Sequence, residues 1–159
     1  MLTRIDENTI EAVPHGRILG IDYGAKRIGV AKSDPSQILA SALVTIKNST
    51  RHNILSEIRE IVDRDNIKAI VVGMPVNMNG TRGPKAKETM AFARFLANSE
   101  LPLVILWDER WTTRLAQQSL HSQGKSSSKS RDYIDQIAAG FLLQNFLDRL
   151  GFLRKNRNE

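Results

Sequence analysis

Apolar and polar residues alternate through three short stretches near the start of the chain. These are RILGIDY (17–23), KRIGVAKS (26–33) and roughly QILASALVTI (37–46), with short turns between them. Such patterning predicts three strands in an antiparallel meander. The period then changes. Through STRHNILSEIREIVDRDN (49–66), Ile54, Leu55, Ile58, Ile61 and Val62 fall on one face of a helix. IKAIVVG (67–73) is almost wholly apolar and rich in β-branched residues, as a strand buried on both faces is, and LPLVILW (101–107) reads as a second. Between them come the turn-rich MPVNMNGTRGP and a helix from about Pro84 to Asn98, with Pro84 in its first turn. Two more helices are predicted. One runs from about Thr112 to Gln123 and is stopped by Gly124. The other spans about Asp132 to Leu150 and buries Ile134, Ile137, Ala138, Phe141 and Leu142.

The order is βββ followed by α-β-α-β-α-α, which predicts an α/β fold. Hairpins build one part of the sheet, and helical crossovers set parallel strands beside it. With 159 residues, 41% hydrophobic and 25% charged, the chain has room for one ordinary domain and not two. Segment 1–16 has mixed charges and a Pro14/Gly16 break. It is expected to be a short extension ahead of a domain at 17–150, with 151–159 a basic tail. The start lacks the pattern of a signal peptide, and no run approaches the about 18 apolar residues of a membrane span. A cytoplasmic protein with no membrane attachment is expected.

Composition narrows the chemistry. The absence of cysteine removes disulfides, thiolate zinc sites and thiol nucleophiles. His15, His52 and His121 have no partner at ligand spacing, so what remains for a metal is oxygen chemistry, suited to magnesium or manganese. A net charge of +6 favours a polyanionic partner. Cations gather in GKSSSKSRD (124–132) and in the RKNRN tail (154–158). The tail reads as a frayed, solvated end. The loop directly precedes the last helix, which makes Lys125, Lys129 and Arg131 the candidates for phosphate contacts.

Three acids stand at element ends. Alternation puts Asp22 on the face of Ile18 and Gly20, where a carboxylate loses hydration unless a cation or donors replace the water. Asp108 and Glu109 follow directly on the strand at 101–107. Functional crevices in open α/β sheets lie beyond the carboxyl ends of the strands. A central first strand, parallel to the other two, brings Asp22 and Glu109 out at one edge. Asp135 begins the last helix, one position off its apolar stripe, beside small Ala138 and Ala139. Each acid also has a plain structural reading. Asp22 can form a turn before Gly24, Asp108 or Glu109 can pair with Arg110 or Arg114, and Asp132 or Asp135 can support a helix N-terminus. The three together point instead to converging carboxylates, which repel unless cations are bound. Two hard cations about 4 Å apart can clamp the attacking and leaving oxygens of a phosphodiester.

GIDYGAKRIGVAKSD, IVVGMPVNMNGTRGP, WDERWTT and RDYIDQIAAGFLLQ, in this order and spacing, resemble the four signature blocks of the YqgF family. That family of bacterial ribonuclease H-like proteins is described as Holliday-junction resolvases and as the nuclease maturing the 5′ end of the 16S ribosomal RNA precursor. The similarity runs from about Arg17 to Leu147. It implies a ribonuclease H-like, five-stranded mixed sheet, an antiparallel meander plus two parallel strands, flanked by helices. It also implies that Asp22, Glu109 and Asp135 are the catalytic acids and hold the metal. Two positions depart from the pattern. Ala25 stands where many members have threonine, which removes a hydroxyl from any phosphate contact. Asn79 replaces an aspartate common in the turn, which weakens a metal role for that loop.

Other residues extend the picture toward nucleic acid. Glycines and the Asn79-Gly80 turn can bring backbone amides near a phosphate, or simply form a long loop. Lys26, Arg27 and Arg110 lie beside the acids and are candidates for backbone phosphates, or for plain surface charge. Trp107 and Trp111 flank the acids, with core packing ahead of base stacking. The reading is a nuclease using magnesium or manganese on structured RNA, with a DNA four-way junction as the alternative substrate. The chain is expected to be a monomer or weak homodimer. A nucleic-acid-binding module without catalysis is a third reading. A sugar-kinase-like ATPase would need a second domain for which there is no room.

Overall fold

The computed structural model describes residues 2–4, 9–75, 83–108 and 128–157, with backbone alone at 2–4 and 128–130. The mixed sheet implied by the resemblance is present. Its five expected strands are β2 (Arg17–Tyr23), β3 (Arg27–Ser33), β4 (Ala40–Lys47), β5 (Ile67–Met74) and β6 (Leu103–Asp108), and a short β1 (Leu2–Arg4) extends the edge. The spatial order is β1-β6-β5-β2-β3-β4. β2, β3 and β4 are antiparallel neighbours, whereas β2, β5, β6 and β1 run parallel.

Around the sheet lie α1 (Arg51–Asp65), α2 (Pro84–Ala97) and α3 (Ser128–Arg157). Thr50 caps α1 by accepting from the Asn53 backbone N–H at 3.1 Å, and left-handed Asn66 ends it. Pro84 occupies the first turn of α2, as expected. The helix expected at 112–123 falls outside the described residues.

Strand alternation divides the core. Leu19, Ile21, Ile28, Val30, Ile70 and Val72 face α1 and α2, while Ile18, Ala31, Ala69, Val71 and Ile105 face α3. The central strands are therefore buried on both faces, as their apolar runs require.

Three expectations are revised. β4 begins at Ala40 rather than near residue 37, because Asp34 accepts from the Ile38 and Leu39 N–H groups and Gln37 turns at a φ of 60°. The described residues of the expected N-terminal extension, 2–4 and 9–16, are built into the fold. Leu2–Arg4 pair with Val104–Leu106, and Ile10 and Val13 are buried with Leu150 and Leu153. The last helix begins earlier and runs on through the expected tail to Arg157. Buried Leu153 fastens its end, and Arg154 donates to Gln37 Oε1 at 2.6 Å and to the Val13 carbonyl at 3.0 Å. Its buried stripe is Ala138, Ala139, Leu142, Leu143, Phe146, Leu147, Leu150 and Leu153; Phe141 is 39% exposed.

Candidate active site

Asp22 is the sixth residue of β2, two positions beyond Gly20 and on the α3 face of the sheet. It pairs across the ladder with Gly29 of β3, which pairs in turn with Thr45 of β4. The row Asp22–Gly29–Thr45 thus lies across three strands on one face. Asp22 is inside the strand, so turn formation does not account for it.

The start of α3 crosses this row diagonally. The Thr45 hydroxyl donates to the Asp132 carbonyl at 2.6 Å. A Cβ added at Gly29 would lie 1.9 Å from the Asp135 carbonyl oxygen, and one at Gly20 would lie 2.8 Å from Leu143 Cβ and 3.4 Å from the Ala139 oxygen. Successive turns of the helix therefore rest on β4, β3 and β2. The two glycines remove the side chains that would hold helix and sheet apart. Asp135 arrives beside the row that carries Asp22.

Asp135 shares its stripe with Ala139 and Leu143, at helical spacings of four and eight, rather than lying off it. It sits seven residues into α3, past the first turn where the helix dipole acts, so N-terminal support does not account for it. Its partner is Arg27, whose Nε donates to Asp135 Oδ2 at 2.7 Å, with Asp132 Oδ1 4.0 Å from the same nitrogen. Arg27 was expected against phosphate; in the structure it neutralises one of the three acids. The sequence held no sign of this pair, whose members are 108 residues apart. Thr45 was also missed. The sequence hints to the close approach were the in-strand glycines Gly20 and Gly29 and the small Ala138 and Ala139 on the helix.

The parallel strands end at the same edge. Ile21, Val72 and Leu106 are in register, and Gly73 pairs with Trp107 one step further on. Trp107 packs edge-on against Phe146, with centroids 5.5 Å apart, and lies half-buried against the α3-side core. β6 closes at Asp108, one residue before Glu109. Glu109, Asn79, Arg110, Trp111 and Lys125 lie outside the described residues, as does the side chain of Lys129. Arg131 is exposed on α3, four residues before Asp135, and Lys26 is exposed in the turn entering β3.

The donor set fits hard divalent cations. It consists of carboxylate oxygens, and a guanidinium already occupies one of them. Among the described residues no group of three or more His, Asp or Glu side chains gathers to hold a metal, and the third acid is not one of those residues. No helix among them is long and apolar enough to cross a membrane.

The model of the RuvX family, described as Holliday junction resolvase, matches residues 16–149. A relative from Moorella thermoacetica, provisionally named a pre-16S rRNA nuclease, is 46% identical over 136 residues, covering 85% of this chain and 96% of its own. One of the same name from Cereibacter sphaeroides is 40% identical over 154 residues, 96% of each chain. Among solved structures, Thermus thermophilus RuvC in complex with a Holliday junction substrate aligns with 86% of this chain and 97% of its own, at 16% identity and a TM-score of 0.49.

Proposed function

The chain belongs to the RuvX family and is a nuclease, and from that premise we propose that it hydrolyses phosphodiester bonds of structured RNA with divalent metal, maturing the 5′ end of the 16S rRNA precursor. One observation carries the reading: Asp22 and Asp135 share one face at the carboxyl ends of the parallel strands, with Glu109 following β6 by one residue. The relatives' names favour the RNA precursor as substrate.

Asp22, Glu109 and Asp135 are assigned as the residues that hold magnesium or manganese. When bound there, such ions supply activation of water and stabilisation of the leaving oxygen. The chain's own contribution is placement. Asp22 is fixed by the ladder, and Asp135 by main-chain contact of α3 with Gly29. Lys26, Arg110, Lys125, Lys129 and Arg131 are assigned to backbone phosphates, with the Asn79 turn offering amides.

Cleavage of a DNA four-way junction is the second reading, favoured by the description of the family. Resolution needs two symmetric cuts, so it requires a dimer, and a monomer in solution counts against it. The deciding experiment offers the purified protein, with magnesium or manganese, a 16S precursor fragment and a synthetic junction side by side. Asp22→Asn should lower cleavage by at least roughly 10²-fold, more than loss of a residue that merely supports a ligand, while the thermal melt stays in place. A fully active Asp22→Asn variant removes the metal-site reading.

A further inference from the structure

The Arg27–Asp135 pair has a consequence for how the site takes up metal. Resting on the metal-site assignment above, we propose that Arg27 is the resident counter-ion of the site: it holds Asp135 until divalent metal takes that carboxylate, and is then released toward the phosphates of the substrate.

Charge decides the direction. On that assignment the metal-free site carries the negative charges of its acids, and Arg27 offsets the one on Asp135 through a 2.7 Å bond to Oδ2. With two divalent ions bound, the same acids are over-neutralised. The guanidinium then faces a net positive centre across one carboxylate, and its hold weakens. Arg27 is able to leave. Its side chain is 34% exposed, and its contacts with the helix are Nε on Asp135 Oδ2 and the looser 4.0 Å approach to Asp132. Lys47, its register partner on β4, and Lys26 lie beside it, so a released Arg27 joins a basic rim facing polyanion. The competing account is a static ion pair that fastens α3 to β3 whatever is bound.

The test uses the full chain as wild type, Arg27→Gln and Arg27→Lys. Manganese affinity is measured by calorimetry, and melting temperature in EDTA and in saturating manganese. Displacement predicts that Arg27→Gln binds manganese more tightly by roughly three- to tenfold, the scale of coupling between charges in contact. It also predicts that the variant melts lower than wild type in EDTA and that saturating manganese closes the gap. Arg27→Lys keeps a charge but not the planar donor, and should shift affinity the same way by less. With calcium in place of the reactive metal, a stem-loop RNA should bind wild type more tightly than in EDTA, and Arg27→Gln should lose part of that gain. Equal melting losses with and without manganese, weaker manganese binding in either variant, or an undiminished calcium gain overturns the proposal. Wild type that binds no manganese overturns the metal site itself, a separable failure.

Discussion

Gly29→Ala sets two physical expectations against each other. A glycine inside a strand costs about 0.5–1 kcal/mol relative to alanine through backbone entropy, so propensity alone favours the substitution. The structure says the reverse. The new Cβ would lie 1.9 Å from the Asp135 carbonyl oxygen, 2.5 Å from its carbon and 3.2 Å from Cα. The first of these falls about 1.1 Å short of the 3.0 Å that real Cβ contacts respect. Main chain stands on both sides of the clash, so no rotamer relieves it, and β3 and α3 must separate. Overpacking of this kind costs about 1–3 kcal/mol, which outweighs the entropic gain and lowers the melting temperature by roughly 2–8 °C for a net loss of about 1–2 kcal/mol. The same movement shifts Asp135 relative to Asp22 by about 1 Å, enough to cost roughly 10²-fold in cleavage. Guanidinium melts and single-turnover cleavage measure both. Gly20→Ala, at 2.8 Å from Leu143 Cβ, should do less damage, and Gly140→Ala, with nothing within 4 Å, should gain about 0.5–1 kcal/mol as a helix-interior glycine. A Gly29→Ala protein as stable as wild type would refute the close approach.

Replacing Lys125, Lys129 and Arg131 with serine should weaken RNA binding and flatten its dependence on salt, by about one unit of slope for each phosphate no longer neutralised; an unchanged slope makes the segment plain surface. Acid should destabilise the fold partly through Asp65, whose carboxyl is held below its usual 3.8 chiefly by the Arg64 side-chain hydrogen bond, with Lys32 assisting. A depressed value in the folded state means stability present above the unfolded value and lost as pH falls through the lower one. Asp65→Asn should therefore flatten the stability curve below about pH 4, and a curve as steep as wild type counts against the pairing.

The buried strands were legible because burial on both faces leaves a nearly unbroken apolar run, and α1 because its period and Thr50 agree. What escaped depends on distant partners. β1 has three residues and no alternation to read; the edge of β6 makes it a strand. Of the expected α3 stripe Ala138 and Leu142 are buried, but Ile134, Ile137 and Phe141 were misjudged because they satisfy helical periodicity almost as well as Ala139, Leu143 and Phe146. The glycine-lined sheet selects the second set. Of the candidate site, position in the pattern singled out Asp22 and Asp135, which the structure brings to neighbouring strands and helix. The Arg27 pairing was not legible, because a charge at a hairpin reads the same whether it meets solvent or a helix 108 residues later.

The misjudged stripe and the placement of the acid have one cause. Side chains normally set the distance between a helix and a sheet, and they hop between rotamers. Where Gly29 meets the Asp135 carbonyl and Gly20 meets Leu143 and the Ala139 carbonyl, much of that distance is set by backbone instead. A helix seated on main chain has few ways to shift, so a half-buried carboxylate one turn ahead of Ala139 inherits the precision of the strand beneath. Metal ligation asks for placement within about 0.5 Å. The proposed metal role accounts for a carboxylate at this position, where Arg27 pairs with it and an apolar side chain would have extended the core. A core built for stability alone would place alanine or leucine at 135. The acid stands where α3, β3 and the row bearing Asp22 converge.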